Sequence, residues 1–111
     1  VNLAGIFYLL AHIGGSGMAV EDRAIRMDVD ESNGGVAVEL VAQSNETQTV
    51  SYDVEVTGNS RAMHRGTTQI PAARKVTLSR FNVAHSGKWC ATVTVREENH
   101  PEYVLKAGSC G

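Results

Sequence analysis

The sequence predicts an all-β chain folded as an immunoglobulin-like antiparallel β-sandwich of about seven strands. Three observations lead to this fold class. From Ala24 onward, apolar residues recur at every second position, which is the period of a half-buried strand. Turn-forming residues separate these runs at short intervals, which is typical of sandwiches. The two cysteines, Cys90 and Cys110, flank the last predicted turn, where a disulfide can join neighbouring strands.

Residues 1–19 are excluded from the predicted fold because they carry no charged residue. The apolar run at 3–13 is shorter than the roughly 20 residues that span a bilayer, and it fits the core of a signal peptide. Gly17 and Ala19 supply the small residues of a cleavage site. A second reading is a fused leader, since residues 14–18 (GGSGM) also resemble a flexible linker, and a retained anchor is a third. The folded domain is predicted at 20–111.

The first half of the domain alternates cleanly. Its turns are predicted at 30–35 (DESNGG), where Asn33 and Gly34 tolerate a positive φ, and at the polar segment 43–48. Three strands are expected, with inward-facing residues Ile25, Met27 and Val29, then Val36, Val38 and Leu40, then Tyr52, Val54 and Val56.

The second half begins with a break at 57–60. Residues 63–70 are predicted as a short edge strand that ends before Pro71, which lacks a backbone donor. Val76 and Leu78 start a further strand that runs toward Phe81. His85, Ser86 and Gly87 form the next predicted turn.

The last hairpin is predicted in detail. Folding the chain about His100 places Val95 opposite Leu105, Val93 opposite Ala107 and Cys90 opposite Cys110. Both cysteines are then used in one disulfide, which fits an oxidising compartment.

Charge is unevenly distributed along the chain although the formal net charge is only −2. Residues 21–55 hold nine acids against Arg23 and Arg26, whereas residues 61–80 hold five cations and no acid. Arg61, His64, Arg65, Arg74 and Lys75 flank the predicted edge strand. Such charges protect an edge from unwanted pairing, or they form a contact surface for an acidic or amide-rich extended partner; the two roles are compatible.

Catalysis, cofactor binding and metal binding are not expected. The histidines, which are His12, His64, His85 and His100, have no metal-ligand spacing, and those in turns are interpreted as solvated. The chain has no nucleophile elbow, no glycine-rich loop that opens a helix and no Cys-x-x-Cys pair. Nucleic acid binding is disfavoured because few aromatic residues accompany the cations.

The architecture, together with the Tyr-x-Val-x-Val strand at Tyr52, Val54 and Val56 and the polar segment 58–69, resembles the CsgC/CsgH-like family of curli-assembly proteins. The resemblance spans residues 24–110. It implies a monomeric periplasmic sandwich that inhibits curli amyloid formation by transient binding to unfolded subunits and has no enzymatic activity. No membrane association beyond export is expected. The redox-type Cys-x-Cys pair of CsgC has no counterpart in this chain.

The resemblance and the charge pattern together give a predicted protein-binding site at Ser60, Arg61, His64, Arg65, Gln69, Arg74 and Lys75. Three alternatives remain open: an exported immunoglobulin-like or fibronectin-like binding module of a surface or secretion assembly, a pilus-type chaperone that donates a strand, and an enzyme.

Overall fold

The computed structural model describes residues 6–7 and 22–110. The described residues form strands and connections, and the predicted all-β class is confirmed. No helix among them is long and apolar enough to cross a membrane. The strands are β1 (Ile6–Phe7), β2 (Ile25–Ser32), β3 (Gly35–Ala42), β4 (Gln48–Thr57), β5 (Arg61–Ile70), β6 (Val76–Ala84), β7 (Cys90–Glu97) and β8 (Tyr103–Gly108).

Two four-stranded antiparallel sheets make the sandwich. The first sheet has the order β1-β2-β3-β6, and the second has the order β5-β4-β7-β8. In the first sheet Ile6 pairs with Val29 and Phe7 with Asp28. The predicted boundary of the leader at Ala19 lies outside the described residues and stays a prediction.

The core lies between the sheets and consists of the predicted inward-facing rows. Valine dominates these rows because a β-branched side chain suits the pleated surface of a strand. The three predicted sets of β2, β3 and β4 are all buried, as are Trp89, Val93 and Leu105 from the last hairpin. In β3, burial departs from alternation at the register shift between Leu40 and Val41, where both side chains are buried.

The predicted register of the last hairpin is wrong by two residues. Val95 lies opposite Tyr103, Val93 opposite Leu105, and Cys90 opposite Gly108. The chain turns about Asn99, which adopts a φ of 60°, and not about His100. The Cys90–Cys110 disulfide is nevertheless present, with Cα atoms 5.0 Å apart, because the chain bends at Gly108 and brings Cys110 back toward β7.

Two further expectations need correction. The edge strand predicted at 63–70 is longer, since β5 begins at Arg61. His85 is not a solvated turn residue, because only 8% of it is exposed. Its backbone N–H donates to Gly34 O at 3.0 Å, and its Nδ1 accepts a hydrogen bond from Gly87 N at 3.0 Å.

A buried carboxylate ties the two sheets together along one side, which we call the closed flank. Glu97 of β7 is 5% exposed, and it accepts hydrogen bonds from Ala24 N at 2.8 Å, from Gln48 Nε2 at 3.3 Å and from the Tyr103 hydroxyl. The Tyr103 hydroxyl in turn accepts from Ile25 N at 3.3 Å. The two backbone donors lie at the start of β2 in the first sheet, whereas Glu97 and Tyr103 lie in the second sheet. The bonds from Ala24 N and Ile25 N therefore hold the two sheets together.

Replacing Tyr103 by Phe should therefore lower the free energy of unfolding by about 1–3 kcal/mol, because Glu97 loses a donor and Ile25 N–H loses its acceptor inside the protein. Urea unfolding at neutral pH measures the change. Tyr52→Phe is the matched control, since no hydrogen bond is recorded for the Tyr52 hydroxyl. Equal losses in both variants would contradict the role of the closed flank.

Alkaline pH should destabilise the fold through the same residue. Burial and the bond to Glu97 raise the pKa of Tyr103, and burial also raises that of Tyr52. The folded state thus retains protons that the unfolded chain releases near about pH 10. The contribution of these two tyrosines to the free energy of unfolding is fully present below that pH and is lost as the pH rises above it. The fall should be shallower in Tyr103→Phe, as measured by urea midpoints between about pH 8 and about pH 11.

Candidate functional site

The predicted protein-binding residues converge on one edge of the second sheet. Arg61, His64, Arg65 and Gln69 lie on β5, Ser60 lies in the turn before it, and Arg74 and Lys75 lie in the connection to β6. That connection is anchored by Ala73, whose N–H donates to Ser44 O at 2.7 Å and whose φ is 57°. We call these seven residues the β5 edge site. Their role as a binding site is a prediction.

The side chains of β5 divide between two surfaces. Residues opposite one another in an antiparallel pair share a face, so Arg65 lies on the outward face with Asp53, and Thr67 with Ser51. The outward row of β5 comprises Arg61, Met63, Arg65, Thr67 and Gln69. The row that faces the first sheet comprises Ala62, His64, Gly66, Thr68 and Ile70.

The cations of the outward row are neutralised by neighbouring strands. Arg65 Nε lies 2.5 Å from Asp53 Oδ1, and Arg61 Nε lies 2.5 Å from Glu55 Oε2. Asp53 also binds Arg96 of β7 at 3.1 Å, and Arg96 reaches Glu102 at 3.0 Å, so a row of ion pairs crosses the sheet. The hydrogen bonds from Arg65 and then Arg96 lower the pKa of the Asp53 carboxyl.

The first sheet shows the same pairing of acid with base. Arg80 of β6 lies 2.9 Å from Glu39 of β3, and Thr77 donates to the same carboxylate oxygen at 3.0 Å. The bond from Arg80 is the main cause that lowers the pKa of Glu39. Three acids of residues 21–55 are thus paired with three arginines of residues 61–80 on neighbouring strands. Among the described residues, Arg74 and Lys75 are cations of the site without a recorded ion pair.

The side of the sandwich where β5 faces β6 has no buried carboxylate among the described residues, and we call it the open flank. His64 Nδ1 lies 2.9 Å from Ser79 Oγ of the first sheet. The His64 ring meets Tyr52 edge to face at 5.5 Å between centroids and Phe81 at 6.4 Å. Ala62, Leu78 and Phe81 pack on the core here but remain partly exposed.

Gly66 lets the Tyr52 ring reach the edge of the sheet. A Cβ at this position would lie 2.7 Å from the Tyr52 hydroxyl and 2.8 Å from its Cζ. The absence of a side chain therefore allows Tyr52 to pack beneath β5. On the other face of β5, the outward row presents an apolar side chain, Met63, which is 61% exposed.

The described residues offer little else that could hold a ligand. A shallow depression of about 250 Å³ lies on the outer face of the first sheet, lined by Asp28, Asp30, Ala37, Glu39 and Arg80. No group of three or more His, Cys, Asp or Glu within the described ranges could hold a metal ion. Sequence reasoning missed the Glu97 cluster, whose only sequence signal is a glutamate that continues the inward row of β7.

Comparisons with known proteins agree with this architecture. No protein-family model and no curated protein matches the chain. The solution structure of CsgH from R. palustris is similar, with 20% sequence identity and a TM-score of 0.51 over 73% of this chain and 88% of that one. The E. coli curli protein CsgC is also similar, with 11% identity and a TM-score of 0.54 over 74% and 94%. The predicted resemblance is confirmed as a likeness of fold.

Replacing Gly66 by Ala should destabilise the domain by about 1–3 kcal/mol, because the new methyl group forces the Tyr52 ring or β5 to move. Gly35→Ala is the control, since its Cβ would meet no atom closer than 3.8 Å. Chemical denaturation of both variants measures the difference. If Gly66→Ala is as stable as Gly35→Ala, then Tyr52 does not pack beneath β5 as described.

Proposed function

We propose that this chain binds unfolded subunits of a curli-type amyloid in the periplasm and delays their assembly, without catalysing a reaction. The observation that carries the proposal is the position of the β5 edge site: its seven residues lie on or beside an edge strand. The likeness of fold to a curli protein supports the choice of client. The Cys90–Cys110 disulfide is consistent with an oxidising compartment.

The mechanism follows from how amyloid grows. Each added subunit pairs with an exposed strand edge, so a nucleus needs edges that recruit further strands. A folded domain that occupies a segment of the subunit transiently removes that segment from nucleation. When the domain occupies the edge of a nucleus, a substoichiometric amount is sufficient to lengthen the lag, because nuclei are rare compared with free subunits.

Electrostatic attraction is expected to come from Arg74 and Lys75 more than from the arginines of β5. The charges of Arg61 and Arg65 are largely cancelled by Glu55 and Asp53, whereas Arg74 and Lys75 are exposed beside the end of β5. Unpaired surface charge speeds encounter with an acidic or amide-rich chain, and the effect weakens as salt shortens the screening length to about 10 Å at 0.1 M.

Reversing one of these charges should weaken the activity. We expect Lys75→Glu to require roughly two- to five-fold more protein for the same lag in fibrillation of a curli major subunit, followed by thioflavin fluorescence, because one exposed charge contributes up to about 1 kcal/mol. The difference from wild type should shrink at high salt.

Lys106→Glu is the matched control. Lys106 lies on β8, at the opposite edge of the second sheet, and its reversal changes the net charge equally. Equal weakening by both variants would assign the effect to net charge and not to the β5 edge site. A wild-type protein that is folded and oxidised but leaves the lag unchanged would refute the proposed function itself.

A further inference from the structure

The free side of β5 is the longest strand edge that the described residues leave unpaired. β5 spans ten residues, compared with nine in β6 and six in β8. β8 is followed at once by the disulfide at Cys110, and the pairing of β6 with β3 is interrupted by a register shift. On the first sheet, β2 is partly paired with β1.

Several of the usual protections of an edge strand are missing from β5. Its pairing with β4 runs through ten consecutive residue pairs without a bulge, and its proline, Pro71, comes only after the strand ends. Arg61 and Arg65 are held by carboxylates of β4. The row of β5 that faces the first sheet, along the open flank, contains no Lys, Arg, Asp or Glu. Such a charge would oppose the burial of another strand at this position.

The surroundings of the edge specify the side chains that an added strand should carry. Side chains that point between the sheets would cover Leu78 and Phe81, which are only partly buried, and would therefore be apolar. Side chains on the other face would lie beside Met63, Thr67 and Gln69, and would be uncharged and polar. A second copy of this chain fits less well, because pairing two β5 strands would gather four arginines on one face.

We propose that β5 accepts one extended segment of an unfolded amyloid-type subunit as an additional strand, with alternate apolar side chains covering the open flank. The inference rests on the proposed function and specifies how the client binds. Main-chain hydrogen bonds along the edge provide affinity, and the open flank selects segments that alternate between apolar and polar residues. The client strand then has its pairing groups on one side occupied by a folded domain.

Two variants, each with a lysine introduced into a different row of β5, distinguish strand addition from charge attraction. Thr68→Lys places an ammonium group in the row that faces the open flank, where an added strand would bury it, whereas Thr67→Lys places it on the outward row. Both variants add one positive charge to the same strand. We expect Thr68→Lys to require about tenfold more protein for the same lag, because burying an unpaired charge is costly, and Thr67→Lys to match wild type or exceed it.

Amide exchange provides a readout that does not depend on inhibition. Adding excess unfolded curli major subunit to the full chain should slow exchange in β5 and leave β8 unchanged, since a strand that pairs with β5 protects its free N–H groups. Near-UV circular dichroism of Trp89 verifies that each variant is folded. Ala62→Lys, in the same row, replaces Thr68→Lys if that variant does not fold.

The outcomes are distinguishable. If wild type lengthens the lag while β5 gains no protection and Thr68→Lys remains active, the strand-addition proposal is overturned and the proposed function stands. If β5 is protected but the lag is unchanged, strand addition is supported and the proposed function fails. If the lag and the exchange are both unaffected in wild type, both proposals are overturned.

Discussion

The closed flank around Glu97 is the interaction on which the arrangement of this sandwich depends. A buried carboxylate is unfavourable unless several donors surround it. The donors here are the Ala24 N–H, which precedes β2 of the first sheet, and the side chains of Gln48 and Tyr103 in the second sheet. Satisfying Glu97 therefore fixes the distance between β2 and the β7–β8 hairpin. The opposite side has no such group. It is held by a hydrogen bond shared by His64 and Ser79, by the Asn59 N–H that donates to Ala84 O, and by ring contacts. Its apolar residues Ala62, Leu78 and Phe81 stay partly exposed.

The composition of the core could be predicted from the sequence because burial in a strand follows a period of two. The same period explains the failure in the last hairpin. A slip of two residues leaves every inward residue inward, so alternation cannot distinguish Val95 opposite Leu105 from Val95 opposite Tyr103. The turn decides between them, and the positive φ of Asn99 sets its centre. The burial of His85 was equally invisible, because it depends on contacts with Gly34 and Gly58, which are distant in sequence.

The candidate site was predictable in position but not in electrostatic character. The cations near residues 61–75 do fall on one edge, as their clustering in the sequence suggested. The pairing of Arg61 and Arg65 with acids follows from the turn at 58–60, which folds β5 back onto β4 and sets Arg65 opposite Asp53. A chain with segregated charges thus becomes a domain with paired ones, since antiparallel neighbours come from adjacent stretches of sequence. The net charge of a segment is a poor guide to the field of a sheet when the next segment along the chain is its strand partner.

These ion pairs place two opposing demands on β5. A soluble sandwich must keep its edges from pairing with copies of itself, and arginines on an edge strand serve that purpose because two such edges would bring like charges together. An edge that accepts a different chain must not repel it, and the carboxylates of β4 reduce the charge that such a chain would meet. The two demands are compatible only if the side chains of the incoming strand distinguish a different chain from a second copy of this one. In the proposed strand addition, a segment without cations leaves the two arginines of one β5 strand on this face, whereas a second copy would bring two more. The likeness of fold to CsgH and CsgC does not decide this point, because discrimination depends on the side chains of β5 and not on the architecture that carries them.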